Sequence, residues 1–163
     1  MTLGYTGANN TTNVLANNNA QIWNGDFSFT AAGNRALDLG SGSVTLGGDR
    51  RLTIVNNTLI VGGVISDGAN AFDLTKDGAG RLTLTGASTF SGALNLLNGT
   101  VELSGNGQLS NVSGILLTNR AALVIDNGAV NLNTRLPDSA SIRLDGGLLV
   151  WTHDAAGSTW YDE

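Results

Sequence analysis

Within DGAGRLTLTGASTFSGALNLLNGTVELSG, residues 77–105, three short alternations stand out: Leu82-Thr83-Leu84, Leu94-Asn95-Leu96 and Val101-Glu102-Leu103. Successive side chains of a strand point to opposite faces. Each triplet therefore puts two aliphatic residues on one side and one polar residue on the other. Glycine or Asn-Gly brackets each triplet, and none is long enough to make an independently stable strand pair. A unit of this kind gains stability by stacking on copies of itself.

The same pattern extends outward from this stretch. Phe27-Ser28-Phe29 is the first clear alternation, and thirteen apolar i, i+2 pairs follow, from Leu37/Leu39 through Phe72/Leu74, Leu82/Leu84 and Val130/Leu132 to Ile142/Leu144 and Leu148/Val150. In nine of these pairs the intervening residue is polar (Thr53, Asp73 and Glu102 among them), and in four it is apolar: Ile60, Leu116, Val124 and Leu149. That split predicts sheets buried on one side only, since strands buried on both faces are apolar throughout. No segment sustains the i, i+3, i+4, i+7 stripe of a helix. The chain is read as all-β.

Two β architectures fit these signals. In an antiparallel β-sandwich, Asn98-Gly99 and Asp145-Gly146 would be two-residue hairpin turns. In a parallel β-helix, or solenoid, the same glycines turn the corners between the faces of a coil. Strands of three to four residues, self-similar spacing and an aliphatic Leu/Val/Ile ladder favour the solenoid. At three strands per coil, the pairs predict roughly four to five coils, a stack about 20 to 25 Å tall.

Composition bounds the rest. The 163 residues suit one domain, and 41% hydrophobic with 6% aromatic residues predicts an aliphatic, thin core. Charged residues are 13%, about half the usual share, while 23 glycines accompany a single proline. A net charge of -5 with only 8 basic residues excludes nucleic-acid binding, which needs clustered Lys and Arg. The lack of cysteine excludes disulfides and thiolate metal sites. No apolar run approaches the ~20 residues of a membrane span. The opening MTLGYTGANN has neither the basic nor the apolar region of a signal peptide. Residues 1–21 are polar and asparagine-dense and read as an N-terminal joint or cap, 22–150 as repeat coils, and 151–163 as an aromatic C-terminal joint or cap.

The run from Leu74-Thr75-Lys76-Asp77-Gly78-Ala79-Gly80-Arg81-Leu82 to Phe90-Ser91-Gly92 resembles the passenger-associated repeat of bacterial autotransporters. The family pattern is L-T-K-x-G-x-G-x-L-x-L-x-G-x-N-x-Y-x-G. Ser88 stands where the family usually has Asn and Phe90 where it has Tyr, while Asn98-Gly99-Thr100-Val101-Glu102-Leu103 fits the closing strand. Val61-Gly62-Gly63-Val64-Ile65-Ser66 and Leu136-Pro137-Asp138-Ser139-Ala140 resemble segments that flank the repeat. The resemblance implies a right-handed β-helix at the bacterial cell surface, exported through an outer-membrane β-barrel translocator. It implies a stalk whose repeat assists translocation and folding, and a segment of a longer passenger chain.

Searched for chemistry, the chain offers little. His153 is its single histidine, and a Ser-His-Asp reading with Asp154 fails because adjacent residues on an extended chain diverge. The Gly-x-Gly pairs lack a third glycine and a following helix, so no phosphate cradle is expected. Asp67, Asp73 and Asp77 could pair for glycoside hydrolysis, but they sit at turns, where Asp is common for backbone reasons. The segments Gly47-Gly48-Asp49 and Gly25-Asp26 are not repeated in register as a calcium roll requires. The outward threonines Thr45, Thr53 and Thr83 are interrupted by Asp73, Asn95 and Glu102, which breaks an ice-binding array. No enzymatic role, cofactor or metal is expected. The remaining candidates for contact with a glycan or a host or neighbour-cell surface protein are Trp151, Trp160 and Tyr161, with Trp23 near the other end. Their competing role is to plug the ends of the stack, whose open ladders would recruit another chain.

Overall fold

The computed structural model describes residues 1–5 and 12–153. Among these residues there is no helix, and the chain winds into a parallel β-solenoid of about six turns. Two seven-stranded faces run its full length. Face A stacks Thr2–Tyr5, Phe27–Ala31, Arg50–Ile54, Leu74–Asp77, Leu94–Leu96, Gly114–Thr118 and Ser141–Asp145. Face B stacks Asn13–Val14, Ala36–Asp38, Thr58–Val61, Arg81–Leu84, Thr100–Leu103, Ala122–Asn127 and Leu148–His153. A third side holds shorter pieces, Gln21–Trp23, Val44–Leu46 and Ile65–Ser66 in one sheet and Ala87–Ser88 with Gln108–Leu109 in another.

Neighbouring strands on every face pair in parallel, which removes the hairpin sandwich. Asn98-Gly99 turns the chain from face A to face B instead of reversing it. Like residues stack as the solenoid reading requires. On face B, Leu59, Leu82, Val101 and Leu123 form one inward column and Val61, Leu84, Leu103 and Ile125 the next. All eight are essentially inaccessible to solvent. Each aliphatic side chain buried in this way contributes about 1.5–3 kcal/mol.

The coil number differs from the expected four to five because the third side is not a full strand in every coil. Two strands per turn carry the stack and the third position is often a turn, so the same apolar pairs spread over more coils. Six steps at the inter-strand spacing make it about 30 Å tall. Strands on both faces already begin within residues 1–21, at Thr2–Tyr5 and Asn13–Val14.

Three of the apolar pairs depart from the expected pattern. In Phe72/Leu74, Phe72 precedes the strand Leu74–Asp77, whose inward alternation is Leu74/Lys76. Val130/Leu132 is not a strand but part of the loop between Asn127 and Ser141, where the last turn takes extra residues. Leu148/Val150 is out of phase: Leu149 pairs with Leu123 and Trp151 with Ile125, so Leu149 and Trp151 occupy the inward columns. The run Leu148-Leu149-Val150-Trp151 has no polar residue to mark its phase, and one residue of slip exchanges the faces.

Candidate contact surface at the open end of the stack

The last described coil differs from those beneath it. Ile142 and Leu144 continue the face A columns of Ile115 and Leu117, yet they are 41% and 53% exposed. Leu149 and Trp151 continue face B in the same way and are 43% and 52% exposed. Together they form an apolar end surface at core-facing positions. Trp151 is thus a ladder residue at the open end and not a platform on an outer face. Trp160 and Tyr161 lie outside the described residues. Trp23 is buried, donates from Nε1 to Gln21 Oε1 at 3.2 Å and packs edge-on against Phe27 with ring centroids 5.1 Å apart. It belongs to the core.

The carboxylates singled out for chemistry serve the backbone. Asp67 is buried, and its Oδ2 accepts from Phe72 N (3.2 Å), Ser91 N (2.8 Å) and Ser91 Oγ (3.1 Å). Asp26 Oδ1 accepts from Arg51 N at 2.9 Å, Asp49 Oδ1 from Asp73 N at 3.0 Å, and Asp73 Oδ1 from Ala93 N at 2.7 Å. Apart from the local bond between Phe72 and Asp67, each of these bonds joins one coil to the next. They extend the inter-coil ladder through places where strand pairing lapses, satisfying backbone N–H groups that would otherwise go without a partner. Asp77 pairs with Arg51 and accepts from Gly78 N; these two hydrogen bonds, the arginine's first, hold its pKa below the usual carboxylate value.

Three cations that the structure buries were not recognised from the sequence as core residues: Arg35, Lys76 and Arg135. Lys76 is the chain's lone lysine and sits in an inward column between Leu52 and Leu96. It is fully buried and donates from Nζ to Gly78 O at 2.6 Å and Asn98 O at 2.9 Å, tying the corners of two successive coils. Burial lowers its pKa to about 8, with the neighbouring Asp77 charge opposing the shift. Arg135 lies in the loop after Asn127 with its guanidinium buried. It donates to Gly107 O (2.7 Å), Gly105 O (3.0 Å), Asp126 O (2.8 Å), Val130 O (2.7 Å) and Asn127 Oδ1, while its own carbonyl accepts from Leu109 N at 2.8 Å. Desolvation pulls its pKa down and the Asp126 charge partly restores it. The loop thereby fills the next place on the third side, and its arginine satisfies carbonyls inside the coil. A lysine at a strand position with period-two spacing carried a signal; an arginine in an irregular loop carried none.

The other candidates separate in space. Thr45 lies on the third side, Thr53 on face A and Thr83 on face B, so they form no common array. Among the described residues no three His, Asp or Glu side chains gather closely enough to hold a metal ion. His153 ends the last strand and is exposed; its neighbour Asp154 lies outside the described residues. An open hollow of about 490 Å³ near the other end is lined by Val14, Leu15, Asn17, Asn18, Gln21 and Leu39, without a charged group.

Stacked parallel coils with aliphatic columns and backbone-serving carboxylates define a structural solenoid. Residues 74–103 match the passenger-associated-transport-repeat family. The chain is 31% identical over 133 residues, 77% of its own length, to the adhesin BmaC autotransporter of Brucella suis biovar 1 (strain 1330). It spans only 4% of that relative's length. No solved structure matches the chain. The chain belongs to the autotransporter passenger repeat family, a segment of passengers secreted to the cell surface. Its two departures from the family pattern are both buried: Phe90 has no hydroxyl that would need a partner, and the Ser88 Oγ accepts from Ile65 N at 3.4 Å.

Proposed function

We propose that this chain is a non-catalytic stalk segment that extends a surface passenger and whose coil-by-coil stacking assists translocation. The observation that carries this reading is the continuity of the inward columns, which run through the stack and end uncovered at Leu144, Leu149 and Trp151. Apolar residues in register at an open coil suit another coil of the same passenger. Docking each new coil buries aliphatic surface and adds a backbone ladder, so folding outside the membrane opposes return of the chain. The partners are then the rest of the passenger and an outer-membrane β-barrel translocator.

A second reading is favoured by the relative described as an adhesin. In it, exposed faces or the aromatic end bind a glycan or a host or neighbour-cell surface protein. Deleting residues 74–103 from the parent passenger and measuring surface display separates the two. The stalk reading expects display to fall. Full display with loss of adhesion, reproduced by Trp151→Ala alone, would instead establish the binding module.

A further inference from the structure

We propose that Asn98 is a self-modification site at which the native corner turn promotes conversion of the asparagine to aspartate or isoaspartate. The chain has Asn-Gly pairs at Asn24, Asn98, Asn106 and Asn127, and the fold treats them differently. Gly107 N donates to Ser104 O at 2.8 Å, which directs that nitrogen away from Asn106. Gly128 N donates to Asp126 Oδ1 at 2.9 Å, and the Asn127 amide is occupied with Arg135, Asn131 and Leu132. Asn98 is exposed, as Asn106 is, but here Gly99 N donates to the Asn98 Oδ1 at 2.7 Å. The attacking nitrogen is therefore already held against the amide it must attack, the positioning that makes intramolecular reactions fast.

Lys76 adds the second element. Its ammonium donates to Asn98 O, the carbonyl of the very peptide whose N–H must lose a proton. Drawing electron density toward that oxygen acidifies the Gly99 N–H, as hydrogen bonding to the charged form does for any titrating group. Solvent hydroxide removes the proton, and the nitrogen bonds to Asn98 Cγ. The Cγ–Nδ2 bond then breaks and ammonia leaves with a proton taken from water. Water next opens the resulting succinimide at either carbonyl, giving aspartate or isoaspartate. The net change is one water consumed and one ammonia released. Isoaspartate adds a methylene to the backbone at a corner where a Cβ on Gly99 would already meet Gly78 O and Gly80 O, so the product loosens the tie between coils.

The test is peptide mapping by tandem mass spectrometry of the whole chain, aged in mildly alkaline buffer with and without urea. In the folded chain Asn98 is expected to convert about tenfold faster than Asn106 or Asn127, a factor equal to one pK unit of N–H acidity. In urea the sites should react alike. Conversion at Asn98 no faster than at Asn106 in the folded chain overturns the proposal. Lys76→Met, checked for its β signal, should slow Asn98 alone; an unchanged rate in a folded variant removes the lysine from it. If that variant does not fold, the comparison of native with urea-treated chain decides.

Discussion

The middle coils and the last coil are built from the same residue types in the same columns, yet only the middle ones are closed. Leu84 has a described coil on each side and is 1% exposed; Leu144, in the last described coil, is 53% exposed. Aliphatic pattern alone therefore does not make core in a solenoid. A residue becomes core when a neighbour covers it, so each coil's stability belongs partly to the next.

The largest expected effect tests that contrast directly. Leu84→Asp places an unpaired carboxylate between two closed coils and should cost several kcal/mol, whereas Leu144→Asp should cost under about 1 kcal/mol because its carboxylate stays hydrated. Equal losses of thermal stability for the two variants would contradict the difference in closure. Next comes Arg135→Met. Removing the guanidinium leaves buried carbonyls without donors and should cost about 3 kcal/mol. Limited proteolysis should then cut within residues 128–140 first; unchanged resistance there would mean the loop holds without its arginine.

The smallest effect lies in pH dependence. The folded-state pKa of Lys76 is depressed from 10.5 to about 8, so in this window the unfolded chain binds more protons than the native one. Stability should rise with pH between those two values and be flat below them as far as this group is concerned. Lys76→Met should abolish that slope in thermal melts recorded across the window. A slope that survives the substitution assigns it to another group.

Much of this architecture was legible because period-two alternation and glycine brackets are local signals. Leu82-Thr83-Leu84 declares its inward face without help, and its parallel neighbours follow from repetition. What escaped has a common cause. Leu148-Leu149-Val150-Trp151 is apolar throughout, so only pairing with residues 122–127 sets its phase. The number of strands per coil depends on the third side, where strands two residues long leave almost no pattern. At the candidate contact surface, the aromatic content at Trp151 was visible, but its inward position was not. The burial of Lys76 and Arg135 went unseen because their acceptors are backbone carbonyls contributed largely by neighbouring coils, which no side-chain motif announces.

The burial of Lys76 also has a practical side. Reagents that label amines, from biotin esters to bifunctional crosslinkers, ordinarily find lysines on a protein surface. On this segment the single lysine ammonium is enclosed beneath two corners. The native coils should pass through such chemistry with their side chains unmarked, and uptake of label at Lys76 would serve as a sensitive report that neighbouring coils have come apart.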